Sequence, residues 1–228
     1  MLDHVAAADA RRIETARQSG SFRSVEDFAR RTQLGRAAIA RLAKAGAFGS
    51  LDLDRRGALW QALAQDPKEL PLFDRLPAAP DAPAVLPRMS AAEEVLADYR
   101  AAGLSLAAHP LAFLRQGLDR RRVARAEQLK VLPKDRPVSV AGIVLVRQRP
   151  GTAKGITFVT LEDETGQANL IIRPDVWNRY RQAAHDATLL LAHGRLQREQ
   201  GVIHVLVTRL EDLSPWLREL GSQSRDFC

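Results

Sequence analysis

VRQRPGTAKGITFVTLEDETGQANLII, Val146 to Ile172, reads as two β-strands and the start of a third, joined by two unlike loops. The first loop, Gln148 to Gly155, places Pro150, Gly151 and Gly155 among Arg147, Arg149 and Lys154. The second, Glu162 to Gln167, is short and acidic and carries Gly166, which supplies the positive φ of a tight turn. A basic, flexible loop on a small antiparallel sheet is a layout that holds oligonucleotides by loop and sheet face together.

Outward from this stretch the strand pattern continues. Val138 to Val146, Ile156 to Leu161 and Ala168 to Ile172 are strands by their β-branched and alternating content. Pro174 to Ala184 reads as a helix, with proline in its first turn and Val176, Trp177 and Tyr180 apolar. Leu189 to Leu196 and Val202 to Leu210 are two more strands, joined by a hairpin at Arg198 to Gly201. Three strands, a helix and two strands is the order of the five-stranded OB-fold β-barrel, assigned here to residues 137–213. The second strand alternates Ile156/Phe158/Thr160 against Thr157/Val159/Leu161, and periodicity does not say which set faces inward.

Upstream the pattern is helical. Residues 1–65 divide into a helix over Ala10–Gln18, one capped by Ser24 with Asp27 three residues on, one over Ala37–Ala45 and one over Arg55–Gln65. The tight turn Leu34-Gly35-Arg36 between two short helices suggests a helix-hairpin-helix, which offers backbone N–H groups to a phosphate. Residues 66–90 form a linker: six prolines fall between Pro67 and Pro87, interrupted by the apolar island Leu70-Pro71-Leu72-Phe73. Residues 91–136 are a helical connector. Ser90 and Glu93 make a capping box, Val95, Leu96, Tyr99 and Leu104 share a face, and His109-Pro110 opens a further helix. The run Asp119-Arg120-Arg121-Arg122 reads as a solvated helix face. A tail, 214–228, holds a short amphipathic piece at Trp216–Leu220. The fold class is α+β and multidomain.

Composition narrows the function. In 228 residues, 46% are hydrophobic, enough for packed cores, and a net charge of +7 favours an anionic partner without naming one. The barrel stretch itself is nearly neutral, with nine Lys/Arg against eight Asp/Glu between Pro137 and Leu213, which argues for binding through one loop. The one cysteine, Cys228, excludes an internal disulfide and a cysteine-based zinc site and fits a cytoplasmic location. No apolar run approaches a membrane span. The five histidines lack metal-ligand spacing, and no nucleophile motif stands out, so no cofactor, metal or catalytic residue is expected. Lys154 in its glycine loop lacks the GK[ST] ending of a phosphate loop, and Glu162-Asp163-Glu164 reads as an ordinary acidic turn.

With these residues in view, VAGIVLVRQRPGTAKGITFVTLEDETGQANLII closely resembles the OB domain near the C-terminus of bacterial error-prone DNA polymerases of the C family, the ImuC type. GSFRSVEDFARR and AGAFGSL resemble the helix-hairpin-helix region of the same family, and EEVLADYRAAGLSLAAHPLAFLR, RLEDLS and SRDF follow in its order. The resemblance covers nearly the whole chain. It implies a non-catalytic C-terminal portion, because the family's three palm carboxylates have no counterpart here. Met1 would fall inside the first helix-hairpin-helix unit, and the second hairpin keeps only Gly35.

By that resemblance the OB domain binds single-stranded template DNA in damage-induced, translesion synthesis. Arg147, Arg149 and Lys154 are the candidate phosphate contacts, Gly151 and Gly155 let the backbone approach, and Phe158 is either a base-stacking platform or barrel core. Gly35 and Arg36 are the hairpin's candidate phosphate contact. The alternative is a protein-docking module. The family implies an inactive Y-family-like mutasome subunit and a sliding clamp as partners. Leu70, Leu72 and Phe73 would anchor clamp docking, degenerate because Glu69 replaces the usual glutamine.

Overall fold

The computed structural model describes residues 6–64, 86–199 and 201–221. The chain divides into two compact units, Met1–Ser105 and Leu106–Cys228.

In the first unit, α1 (Ala7–Gln18), α2 (Val25–Thr32), α3 (Arg36–Lys44), α4 (Arg55–Ala64) and α5 (Ala91–Ala102) follow in order. Ser24 caps α2, its hydroxyl accepting the Asp27 N–H at 3.0 Å, and Ser90 with Glu93 forms a complete capping box on α5. Val25, Phe28, Ile39, Leu42, Phe48, Ala58 and Ala62 make the core of α2 to α4. Phe28 meets Phe22 and Phe48 edge to face, at ring distances of 4.9 and 5.1 Å. Arg31 closes the turn after α1, lying 4.5 Å over the Phe22 ring and donating to the carbonyls of Ala16, Gly20 and Ser21. On α4, Arg55 pairs with Glu94 and Asp98 of α5, and Arg56 with Glu93. Leu104 does not join the apolar face of α5. Gly103 ends that helix in the left-handed region, at φ 72°, and Leu104 beyond it is exposed.

The second unit opens with α6 (Pro110–Arg120), capped by the His109 ring, whose Nδ1 accepts the Leu111 N–H at 3.1 Å. A 3-10 turn, Ala126–Lys130, leads into the strands. These are β1 (Pro137–Gln148), β2 (Thr157–Asp163), β3 (Gly166–Ile172), β4 (Leu189–Glu199) and β5 (Val202–Asp212). Between β3 and β4 lie α7 (Pro174–Arg179) and α8 (Arg181–Asp186), and α9 (Ser214–Leu220) follows β5. The single helix expected over 174–184 is therefore two, because Tyr180 leaves the helical region at φ −112°, ψ 35°.

The strands close into a barrel in the order β1-β2-β3-β5-β4, with β3 and β5 parallel and every other pair antiparallel. This is the OB-fold arrangement. Closure depends on β1 serving two partners: Pro137 to Ile143 pair with β4, and Ile143 to Gln148 with β2. Gly142 sits at that changeover, where a Cβ would stand 2.7 Å from the Glu162 carbonyl oxygen. Only glycine lets the chains approach so closely.

Val159, Leu161, Leu170, Ile172, Leu190, Leu196, Val205 and Val207 fill the barrel, each nearly or wholly buried. Each such side chain contributes about 1.5–3 kcal/mol relative to exposure. Trp177 and Tyr180 pack against this core from α7 and the α7–α8 junction. A smaller cluster, Leu111, Leu118, Ala141, Leu189, Leu191 and Leu213, lies outside the barrel wall under α6.

Candidate nucleic-acid interface

The inward set of β2 is Thr157, Val159, Leu161 and Asp163, all buried. Phe158, Thr160 and Glu162 therefore face outward, which removes Phe158 from the barrel core. Residues paired across neighbouring strands share a face. Gln148 pairs with Phe158, Phe158 with Ile171, Ile171 with Leu206, and Leu206 with Arg195. One outer row thus crosses all five strands, with three apolar side chains flanked by an amide and a guanidinium. Four strand spacings of about 4.8 Å make it about 19 Å long. A second row runs parallel through Val146, Thr160, Asn169, His204 and Gln197.

The β1–β2 loop stands at the Phe158 end of the first row. It is built from consecutive turns, with the Ala153 N–H on the Pro150 carbonyl at 3.1 Å and the Ile156 N–H on the Ala153 carbonyl at 2.9 Å. Lys154 (φ 47°) and Gly155 (φ 81°) both take left-handed conformations. Gly155 also needs its lack of a side chain, since a Cβ would lie 3.2 Å from the Pro174 ring and 3.3 Å from the Arg149 guanidinium. Gly151 faces open space and has no such constraint. Arg149 and Lys154 are exposed.

Arg147 departs from the expectation that it joins them. Its Nε donates to the Ala184 carbonyl at 2.9 Å, and its Nη2 to the Ala187 carbonyl. The cause is a β-bulge between Val144 and Val146. Along β1, Val138, Val140 and Val144 face inward, so plain alternation would turn Arg147 outward. The extra residue reverses the parity, and Arg147 pairs with the inward Val159. There it holds the C-terminal end of α8 against the barrel. Burial pushes its guanidinium pKa down, with Asp186 and Asp212 partly compensating.

The acidic turn after β2 is engaged internally. Asp163 is buried and accepts the N–H groups of Ala126, Thr165 and Gly166 at 2.7–3.1 Å. Glu164 takes both Nε and Nη2 of Arg115, at 2.5 and 2.8 Å. Burial alone would raise the Glu164 carboxyl; the Arg115 hydrogen bonds and charge override it, and the pKa lies below the ordinary carboxylate value. Among the described residues no group of three or more His, Cys, Asp or Glu is placed to hold a metal ion.

In the first unit, Gly35 is the N-cap of α3 and Arg36 its first residue, both exposed. Intrahelical bonding starts from the Ala38 and Ile39 N–H groups on the Gly35 carbonyl, so the Arg36 and Ala37 N–H groups belong to the helix's outward set. Leu70, Leu72 and Phe73 lie outside the described residues. Sequence reasoning missed Ile171, Leu206, Gln148 and Arg195, because only the register shows that they join Phe158 in one row.

The fold and this face define a class: a helix-hairpin-helix region followed by an OB-fold nucleic-acid-binding domain. Family models agree, matching a helix-hairpin-helix motif over residues 1–58 and an OB-fold nucleic acid binding domain over residues 138–213. More particularly, the chain is homologous to a segment of the error-prone DNA polymerases. It is 48% identical to the error-prone DNA polymerase of Anaeromyxobacter dehalogenans (strain 2CP-C) over 94% of this chain and 19% of that one. It is 46% identical to that of Rhodopirellula baltica over 100% of this chain and 20% of the relative, and 46% identical to that of Burkholderia pseudomallei over 96% and 20%. The chain thus spans about a fifth of the length of these curated relatives. Among solved structures, an asparaginyl-tRNA synthetase from Pyrococcus horikoshii aligns at TM-score 0.35 and 20% identity over 44% of this chain and 29% of that one, too low a score to carry an argument. No helix among the described residues is long and apolar enough to cross a membrane.

Proposed function

We propose that this chain is a template-holding portion of an error-prone DNA polymerase, binding single-stranded DNA along the outer row of its OB barrel during synthesis across lesions. The observation that carries the reading is the alignment of Phe158, Ile171 and Leu206 in one outward row beside a loop bearing Arg149 and Lys154. A base stacks on Phe158, the aliphatic side chains support its neighbours, and the two cations neutralise phosphates at the loop end. Arg195 closes the opposite end of the row. Gly35 and Arg36, at the start of α3, offer a second phosphate contact through backbone N–H groups. The chain supplies grip and leaves phosphoryl transfer to other residues of the polymerase.

The test is anisotropy titration of a labelled oligothymidylate at several salt concentrations. Replacing Arg149 and Lys154 together by alanine lowers affinity and flattens the logarithmic salt slope by about 1.4 units, at about 0.7 per phosphate contact for a single strand. Unchanged affinity and slope in that variant, with unchanged binding by Phe158→Ala, would remove this face as the site. Primer extension by the purified parent chain would overturn the non-catalytic reading.

A further inference from the structure

A groove of about 810 Å3 lies in the second unit, over the first residues of β1 and the middle of β4, beside the Arg195 end of the Phe158 row. One side of it is aliphatic, lined by Leu132 and Pro137, with Val131 83% exposed beside them. Arg122, Arg125 and Arg136 also line it, against one acid, Asp119. Arg122 and Arg136 are exposed and have no ion-pair partner among the described residues. Arg125 is only loosely engaged, 3.5 Å from both Asp119 and Glu164. Under the arginines, the His193 Nδ1 and Ser139 Oγ are 2.7 Å apart, and the His193 Nε2 is buried without a hydrogen-bond partner. A polar group that lacks a partner in such a place is one that a ligand can satisfy.

The lining says what that ligand is. No Phe, Tyr or Trp borders the groove, and the His193 ring lies in its floor bonded to Ser139, so unpaired bases lack the broad stacking platform of the Phe158 row. Exposed guanidinium groups are forks for carboxylates, and an aliphatic wall beside them suits apolar side chains. We propose that this groove docks an acidic peptide segment of a partner protein, its carboxylates on Arg122 and Arg136 and its aliphatic side chains against Val131, Leu132 and Pro137. Ser139 and His193 supply the polar floor. The groove lies at the Arg195 end of the Phe158 row, where Pro137 of its lining pairs with Arg195, and it leaves the Phe158 end and its loop to DNA.

The probe is a short labelled peptide of alternating aspartate and leucine, titrated by anisotropy with the whole chain. Controls are the same peptide with asparagine for aspartate, and an oligothymidylate. Arg122→Glu combined with Arg136→Glu weakens the aspartate peptide by at least about tenfold, as loss of charge-assisted contacts requires. It leaves the circular dichroism and the oligothymidylate affinity unchanged. Val131→Asp, at a site too exposed to affect folding, independently weakens the same peptide. Phe158→Ala does the reverse, lowering oligothymidylate affinity and sparing the peptide. No binding of the aspartate peptide, equal binding of the asparagine peptide, or equal binding by the arginine variant would each overturn the proposal. A loss of oligothymidylate affinity in the arginine variant, with peptide binding unchanged, would make the groove a nucleic-acid surface instead.

Discussion

The loop before β2 and the turn after it are both charge-rich, yet their charges face different things. Asp163, the last residue of β2, and Glu164 just after it are met by backbone N–H groups and by Arg115. Arg149 and Lys154, before β2, are exposed and have no ion-pair partner among the described residues. Charge density alone therefore does not mark a binding loop. What distinguishes the two is whether the fold has already supplied a counterpart. Arg147 makes the same point at the loop's edge, since it lies two residues before Arg149, near the end of β1, and is bound to carbonyls at the end of α8.

The contrast is tested most severely at Arg115. Arg115→Ala leaves Glu164 with only the looser Arg125 at 3.5 Å and Asp163 with its backbone N–H groups but no cation, in a largely buried place, and unfolding of the barrel unit becomes easier by about 3 kcal/mol. Hydrogen exchange of barrel amides reads this without interference from the helical unit. A loss well under about 1 kcal/mol would mean that the turn is held by backbone N–H groups alone.

Arg147→Ala comes next. Losing donors to two backbone carbonyls near the α8 end costs about 2 kcal/mol of barrel stability. The salt slope of oligothymidylate binding stays at the parent value, whereas Arg149→Ala lowers it and leaves stability within about 0.5 kcal/mol. If Arg147→Ala flattened the slope as much as Arg149→Ala, the division between the structural cation of β1 and the binding cations of the loop would fail.

Phe158→Ala asks whether the exposed loop has a sheet face to work with. Oligothymidylate affinity drops by roughly 1–2 kcal/mol, the worth of one base–aromatic stack. The matching change at Ile171, to alanine, has a smaller effect because an aliphatic side chain supports a base without stacking on it. Equal binding by parent and Phe158→Ala would leave the outer row as mere barrel wall.

Much of this was legible beforehand, and the limits have a common cause. Ser24, Ser90 and Glu93 act within three residues, so their caps follow from spacing. The strand order follows from alternation broken by Gly166, Pro174 and Gly201. The homology was carried by the wording of residues 140–172. What escaped depends on parity or on long separations. The bulge at Val144/Val146 has no glycine to announce it, and it alone turns Arg147 inward. Arg115 and Glu164 are 49 residues apart, and the Phe158–Ile171–Leu206 row exists only through register.

Acid titration is the mildest way to separate the two loops. Burial favours the neutral form of Glu164, but the Arg115 hydrogen bonds and charge more than offset it, so the folded pKa is below the ordinary 4.5. A carboxyl with a depressed folded pKa contributes stability that is complete above its unfolded value and is lost as pH falls through the folded one. Above 4.5 the pair is therefore intact, and below it the unfolded chain takes up the proton first and gains on the folded barrel. Glu164→Gln removes this contribution: the variant is less stable than the parent at neutral pH, and its stability falls less steeply below pH 4.5. The double variant Arg149→Ala, Lys154→Ala falls with the parent's slope, because Arg115, which holds down the Glu164 carboxyl, is untouched. Parallel acid limbs for the parent and Glu164→Gln, by urea unfolding at stepped pH, would mean that the turn's acids are not the ones engaged. A changed limb in the double variant would mean that the loop before β2 has counterparts within the protein after all.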